Sequence, residues 1–227
     1  GLARRRPPDH QFPLAPLDGD ASANARAHFL SRVDAAVVVT ADPTARLRLL
    51  DRKLSSWPAS TTFVTTAAEP LSGLDVDPPT ELAVVTVDGQ PDLSGVGKTA
   101  TDLRSAEERG TLSVEFDILT DLVDTFELQT VFRFLHLLSS RFERAGALAH
   151  YYLDPRRVQR ASINVLEQVF DLVIRADGAV LTSDSVNRSG GRAIDAVLTG
   201  ATGSAALLIV HRLTGDVAPP GVECDFA

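Results

Sequence analysis

Short apolar runs alternate along the chain with segments whose apolar residues recur every three or four positions. Ala35–Thr40 is a continuous apolar and β-branched run of the kind found in a strand buried on both faces. Thr44–Leu54 follows Pro43 and carries leucines at helical spacing. Strands and helices that alternate in this way predict an α/β fold with a mainly parallel sheet, and Asp177-Gly178 predicts a hairpin that adds antiparallel strands at the C-terminal edge.

The same patterns assign the remaining elements. Strands are predicted over Thr61–Thr66, Leu82–Val87, Thr111–Ile118, Ala147–Leu153, Asp171–Arg175, Ala179–Thr182 and Ala205–Leu213. Helices are predicted over Ala23–Val33, Lys98–Arg109, Phe126–Ala145, Arg160–Phe170 and Arg192–Leu198. Residues 1–20 contain four prolines and no apolar period, so we expect a flexible N-terminal arm followed by a single domain over residues 21–227.

Composition narrows the classes of protein. The apolar runs are too short to span a bilayer, and Arg4–Arg6 are followed by prolines instead of the apolar stretch of a secretory signal, so we expect a cytoplasmic protein without membrane contact. The net charge of −8 argues against binding of nucleic acid. Cys224 is the single cysteine and the five histidines are scattered, so no metal site is expected.

The chain uses an unusual set of charged residues. Aspartate supplies 21 of the 30 acidic residues, and arginine supplies 20 of the 22 basic ones. A surface rich in aspartate and poor in lysine suits high intracellular salt. A GC-rich genome, which favours codons for arginine, alanine, aspartate and glycine, is the alternative explanation.

Gly95-Val96-Gly97-Lys98-Thr99 has the context of a phosphate-binding loop. It lies between a predicted strand and a predicted helix, where backbone amides can cradle an anion while Lys98 reaches phosphates and Thr99 holds Mg²⁺. The full pattern requires glycine at position 92, and that residue is Asp92. The simpler interpretation is a glycine turn that opens a helix capped by a threonine, and we prefer it.

The order of elements after residue 110 resembles the RecA/KaiC-like ATPases. Leu112–Phe116 ends in Asp117, the place of that superfamily's Mg²⁺-associated aspartate, and a long helix with Val131-Phe-Arg-Phe-Leu-His136 follows. Together with Leu153-Asp-Pro155, the combination is similar to uncharacterised haloarchaeal relatives of KaiC over about residues 35–175. The resemblance implies a three-layer RecA-like sheet with helices on both faces. It also implies a catalytic-glutamate role for Glu69, which follows the second predicted strand.

Compared with this class of ATPases, the chain lacks a phosphate-binding loop after its first strand. The phosphate loop of this class should follow the first strand, where the chain has Ala41-Asp42-Pro43-Thr44 without glycine or lysine. Pro43 removes an amide donor, and Asp42 places negative charge where phosphate would lie. We therefore expect a non-catalytic regulatory or assembly module that takes no cofactor and contacts a protein partner or further copies of itself. The alternative is a switch that binds and hydrolyses ATP with Mg²⁺ through Gly95, Gly97, Lys98, Thr99, Asp117 and Glu69.

Overall fold

A computed structural model describes residues 20–31, 33–67, 71, 73, 75, 77–79, 81–87, 110–170, 172–177, 180–185 and 207–210. The helices are α1 (Asp20–Leu30), α2 (Pro43–Lys53), α3 (Leu119–Thr125), α4 (Leu128–Arg144) and α5 (Arg160–Leu166), with a 3₁₀ turn over Glu167–Val169. The strands are β1 (Ala35–Val39), β2 (Ser60–Thr65), β3 (Leu82–Thr86), β4 (Leu112–Phe116), β5 (Leu148–Leu153), β6 (Leu172–Asp177), β7 (Val180–Ser185) and β8 (Leu207–Val210).

Five parallel strands flanked by helices form the body of the sheet, which confirms the α/β prediction. Their order is β3-β2-β1-β4-β5, and β8, β6 and β7 continue the sheet beyond β5. In register, Val37 of β1 lies opposite Thr62 of β2 on one side and Val114 of β4 on the other. A central strand of this kind is covered on both faces, which is why Ala35–Val39 reads as an unbroken apolar run.

Each face of the sheet buries its own apolar core. Ala36 and Val38 of β1 pack with α1 and α2, whereas Val37 and Val39 pack with α3, α4 and α5. The alternation follows from the two-residue period of a strand. Helix α4 supplies the second of these cores with Val131, Leu135, Leu138 and Phe142, which recur at helical spacing.

The start of α2 is fixed by local chemistry. The carboxylate of Asp42 accepts a hydrogen bond from the amide of Ala45 at 2.9 Å, and Pro43 occupies the first helical turn, where an amide would have no partner within the helix. The first turn of α2 therefore carries its own negative group.

One predicted helix begins later than expected and is preceded by another. The sequence predicts a single helix over Phe126–Ala145, but the chain forms α3 first and becomes extended at Phe126, where φ is −116° and ψ is 156°. Helix α3 has only seven residues, too few to produce a visible apolar period.

Several predictions fall outside the described residues. These are the N-terminal arm up to residue 19 and the helices over Lys98–Arg109 and Arg192–Leu198. Among the helices of the described segments, none has both the length and the apolar character needed to cross a bilayer.

Candidate functional site

The carboxyl ends of β1 and β4 lie side by side at one edge of the sheet. The amide of Asp117 donates to the carbonyl of Val39 at 2.8 Å, and the amide of Thr40 donates to the carbonyl of Val64 at 3.0 Å. The chain passes from β1 to β2 on one side, whereas β4 lies on the other side, so the strand order reverses between β1 and β4. In open α/β sheets, ligands bind outside such a switch point. This edge of the sheet is therefore the candidate position for a ligand-binding site.

Glu115 of β4 and Asp117, which follows this strand, face α1 and α2. Val114 and Phe116 belong to the core on the opposite face, and Glu115 and Asp117 alternate with them. The guanidinium of Arg26 on α1 donates to both acids, to Oδ1 of Asp117 at 2.7 Å and to Oε1 of Glu115. One arginine thereby joins α1 to the end of β4.

A second arginine reaches the same carboxylates from α2. Nη2 and Nε of Arg46 lie 2.5 Å and 3.0 Å from Oδ2 of Asp117, and Nε lies 3.6 Å from Oε1 of Glu115. Two guanidiniums and two carboxylates have no net formal charge. We call Arg26, Arg46, Glu115 and Asp117 the charge cluster.

The charge cluster is almost completely removed from water. Arg26 and Glu115 are 0% exposed, Arg46 is 5% exposed and Asp117 is 8% exposed. Desolvating an ion costs several kcal/mol, and this cost is recovered only when the charges are paired with good geometry. The four residues therefore depend on one another.

Polar side chains of β4 and β5 extend the charge cluster. Cζ of Arg26 lies 3.5 Å from the ring centroid of Tyr152. The hydroxyl of Tyr152 lies 2.9 Å from Nδ1 of His150, and Nε2 of His150 lies 3.0 Å from Oγ of Ser113. The network thus runs from α1 across two strands without reaching the surface, since Tyr152, His150 and Ser113 are all 0% exposed.

Burial and charge move the pKa values of these groups in different directions. Burial raises the pKa of Glu115 despite the nearby Arg26 and Arg46. Burial also opposes ionisation of Asp117, but the two guanidiniums outweigh it and lower the pKa of this carboxyl. Burial, with the help of Arg26, lowers the pKa of His150 well below its ordinary value of 6.5. His150 is therefore neutral in the folded protein at pH 7.

Asp117 is in place at the carboxyl end of β4, but its oxygens are engaged. Oδ1 accepts from Arg26, and Oδ2 accepts from Arg46 and, at 3.2 Å, from the hydroxyl of Thr40. The other residues of the predicted nucleotide site, namely Glu69, Gly95, Gly97, Lys98 and Thr99, lie outside the described residues.

Arg26, Arg46 and Glu115 were not predicted from the sequence as residues of the site. Two of them leave a signal in the sequence. Glu115 is the charged residue of a strand whose neighbouring positions are mainly apolar, and Arg46 stands one helical turn before the buried Leu50. A charged residue at a position that the period assigns to the core needs an opposite charge nearby.

A small cavity lies beside the charge cluster at the same edge. Its volume is about 180 Å³, and its lining is mainly apolar with three threonine residues and one carboxylate. The lining residues are Val39, Thr40, Ala41, Val64, Thr65, Thr66, Ile118, Asp121 and Leu122. In the described part of the chain, no three histidine, cysteine, aspartate or glutamate side chains come together as metal ligands.

Two of the solved structures that are similar to the chain are described as methyltransferases. N-methyltransferase NodS from Bradyrhizobium japonicum WM9 is 12% identical, with a TM-score of 0.39 over 86% of this chain and 97% of that one. The putative methyltransferase SMU.776 complexed with SAH is 13% identical, with a TM-score of 0.48 over 86% of this chain and 49% of that one. The N-terminal domain of EvdMO1 with SAH bound is 11% identical, with a TM-score of 0.39 over 89% of this chain and 83% of that one.

These neighbours correct one expectation from the sequence. Two of them contain SAH, and this finding contradicts the expectation that the chain takes no cofactor, which we withdraw. A search of curated proteins found no match to the chain. Residues 14–176 match the profile described as "Family of unknown function (DUF7504)". Because the match covers most of the 227 residues, the chain belongs to the DUF7504 family.

Proposed function

We propose that the chain is a regulatory or assembly module that acts through protein–protein contacts and does not catalyse a reaction at the carboxyl edge of β1 and β4. The observation that carries this proposal is the engagement of Asp117 by two buried arginines. In the RecA/KaiC-like ATPases that the sequence resembles, the corresponding aspartate serves Mg²⁺. Here guanidiniums supply the positive charge at that carboxylate.

Displacing these guanidiniums would be costly. A cation that took Asp117 from Arg46 would leave a buried, unpaired guanidinium, and breaking a buried pair costs about 3–5 kcal/mol. The first turn of α2 adds to the argument, because the carboxylate of Asp42 already accepts from its Ala45 amide. A phosphate at that helix end would meet a like charge.

Titration of the full chain with Mg²⁺·ATP tests the proposal. We expect no heat of binding and no phosphate release above the background of the Asp117→Asn variant. One-to-one binding that disappears in Asp117→Asn, while that variant remains folded by circular dichroism, would instead support the ATP-dependent switch. Light scattering of the same sample over a concentration series reports whether copies of the chain associate.

A second candidate function is small-ligand binding in the cavity beside Asp121. The cavity lies at the switch point of the sheet, and Thr40, Thr65 and Thr66 line it. The hydroxyl of Thr40 is already engaged with Asp117, and the hydroxyl of Thr65 accepts from the amide of Ala67 but can still donate to a ligand. Its volume of about 180 Å³ is below the roughly 300–1,000 Å³ of ligand pockets, so it fits one part of a larger ligand. The segment after β1 has no glycine turn for a close approach to phosphate.

SAH is the first ligand to test for this second candidate. We expect a complex with SAH to be weakened by Thr66→Leu, which fills the cavity, and unchanged by Thr44→Val on the nearby helix α2. Equal binding by both variants would place the ligand elsewhere.

The finer description of the fold remains a proposal as well. We infer a three-layer RecA-like sheet with antiparallel strands at its C-terminal edge. Support comes from the two cores on opposite faces and from the antiparallel register that places Tyr151 of β5 opposite Ile209 of β8.

A further inference from the structure

Helix α4 presents a basic outer face on an acidic chain. Six of its residues are exposed, and none of them is acidic. They are Gln129, Arg133, His136, Leu137, Arg141 and Arg144. The chain as a whole has 30 acidic residues against 22 basic ones, so a helix face without a carboxylate departs from its composition.

The arginines of this face form a row with an aliphatic residue in its middle. Arg133, Leu137, Arg141 and Arg144 are spaced by four, four and three residues, which places them on one line along the helix. The row is about 16 Å long at 1.5 Å per residue. Leu137 is 61% exposed, which makes it the most exposed of the large apolar side chains described. We call these four residues the basic row.

Three other surface arginines of the described segments form ion pairs with aspartates. Arg48 pairs with Asp75, Arg156 with Asp154, and Arg157 with two aspartates of α3. In the basic row, Nε of Arg144 donates at 3.0 Å to a carbonyl of its own helix. None of the three arginines of the row pairs with a carboxylate among the described residues.

The neighbouring helix α5 also exposes a basic and an aliphatic side chain. Helix α5 packs beside α4, and its exposed residues include Arg160 and Val165, which is 37% exposed. Helix α5 itself contains no acidic side chain, and Glu167 follows it in the 3₁₀ turn.

We propose that the basic row docks an acidic segment of a partner protein that inserts an aliphatic side chain against Leu137. The inference rests on the proposed function and names the surface and the chemistry of the partner. Charge complementarity selects an acidic segment, since carboxylates can pair with Arg133 and Arg141 on either side of Leu137. The exposed leucine selects a protein over a nucleic acid, because a phosphate backbone offers nothing apolar to cover it. The net charge of −8 also repels nucleic acid at long range.

Selection from a random peptide library tests the surface without a known partner. Peptides of about twelve residues are long enough to cover a row of about 16 Å. The full chain serves as bait, and the Arg133→Glu/Arg141→Glu variant removes peptides that bind elsewhere. We expect the enriched peptides to carry several carboxylates and at least one leucine, isoleucine or valine.

Three variants then measure the contribution of the basic row. For an enriched peptide, Leu137→Ser should weaken binding about tenfold, and Arg133→Glu/Arg141→Glu should weaken it by more than that. Arg52→Glu reverses an exposed arginine on α2 and should leave the affinity unchanged. Added salt should weaken binding by the wild type.

Several outcomes would overturn the docking surface. They are the absence of any enriched peptide, enriched peptides without net negative charge, equal affinity for Leu137→Ser and the wild type, and tighter binding of a labelled DNA duplex than of the peptides. None of these results depends on Mg²⁺·ATP, so failure of this inference is distinguishable from failure of the proposed function.

Discussion

The charge cluster shows how a few residues determine the contacts of two helices. Arg26 is the largest fully buried side chain of the described core, and it is a cation. It lies between Glu115, Asp117 and the ring of Tyr152, so its position is specified from three directions. An apolar residue could pack in the same space, but it would leave two carboxylates with a single arginine.

Replacing one member of the charge cluster should therefore strongly destabilise the folded protein. We expect Arg26→Met to lower the free energy of unfolding by about 3–5 kcal/mol, because it leaves Glu115 or Asp117 without its partner. Arg52→Met, at an exposed position of α2, should change it by at most about 0.5 kcal/mol. Urea denaturation followed by circular dichroism measures both.

The double variant separates charge from packing. Arg26→Met/Glu115→Leu leaves the cluster neutral, so its loss of stability should be smaller than the sum of the two single losses. Strict additivity would mean that the two side chains do not depend on each other.

His150, which lies beside the charge cluster, should make the stability of the protein depend on pH. Its pKa is lowered in the folded protein by burial, so the unfolded chain binds a proton below about pH 6.5 that the folded protein does not. Stability should consequently be lost as the pH falls, by up to about 1.4 kcal/mol for each pH unit below 6.5.

Variants assign this slope to one histidine. His150→Gln should flatten the change in urea midpoint between pH 6.5 and 5.5, whereas His136→Gln, at an exposed site on α4, should keep it. If His150→Gln retains the full slope, another group titrates there.

At the scale of elements, apolar patterns located most strands and helices. The unbroken run of β1 and the stripe of α4 were visible because each repeats a period over enough residues. Helix α3 was missed because it is short, and the break at Phe126 depends on how the chain turns between two packed helices. The ends of the other described elements moved by at most four residues, and the largest shift is at the end of α5, which is followed by a 3₁₀ turn.

The site was less predictable than the elements. Asp117 was recognised from its place after a strand, but its partners Arg26 and Arg46 stand 91 and 71 residues away in the chain. No local pattern encodes which helix will deliver a cation to a given strand. The sequence does show a charged residue at a position that the period assigns to the core. Such a residue indicates that an oppositely charged partner lies nearby, but it does not identify that partner.

The cap of α2 provides a test at this scale. Asp42→Ala should cost about 1 kcal/mol of unfolding free energy, because the amide of Ala45 loses its acceptor. Asp51→Ala, at an exposed position near the other end of α2, is the matched control and should have a smaller effect. Equal effects of the two changes would show that the cap is not what stabilises the helix.

At the scale of the whole molecule, composition bears on the solvent. A chain with 21 aspartates and two lysines is expected to be stable in molar salt, where screening reduces repulsion among carboxylates. We predict that the thermal unfolding midpoint falls when KCl is lowered from about 2 M to about 0.1 M. A midpoint independent of salt would favour codon usage as the origin of the composition.

The pairing of Arg26 with Glu115 also has a consequence for synthesis on the ribosome. The two residues are 89 positions apart, so at about 5–20 residues per second the first waits several seconds for the second. During that time α1 has no anionic partner on the sheet. Only its apolar side chains, which pack with β1 and α2, can keep it in place. The charged contacts of α1 with the sheet therefore form only after β4 has been synthesised, later than α2 and the first three strands.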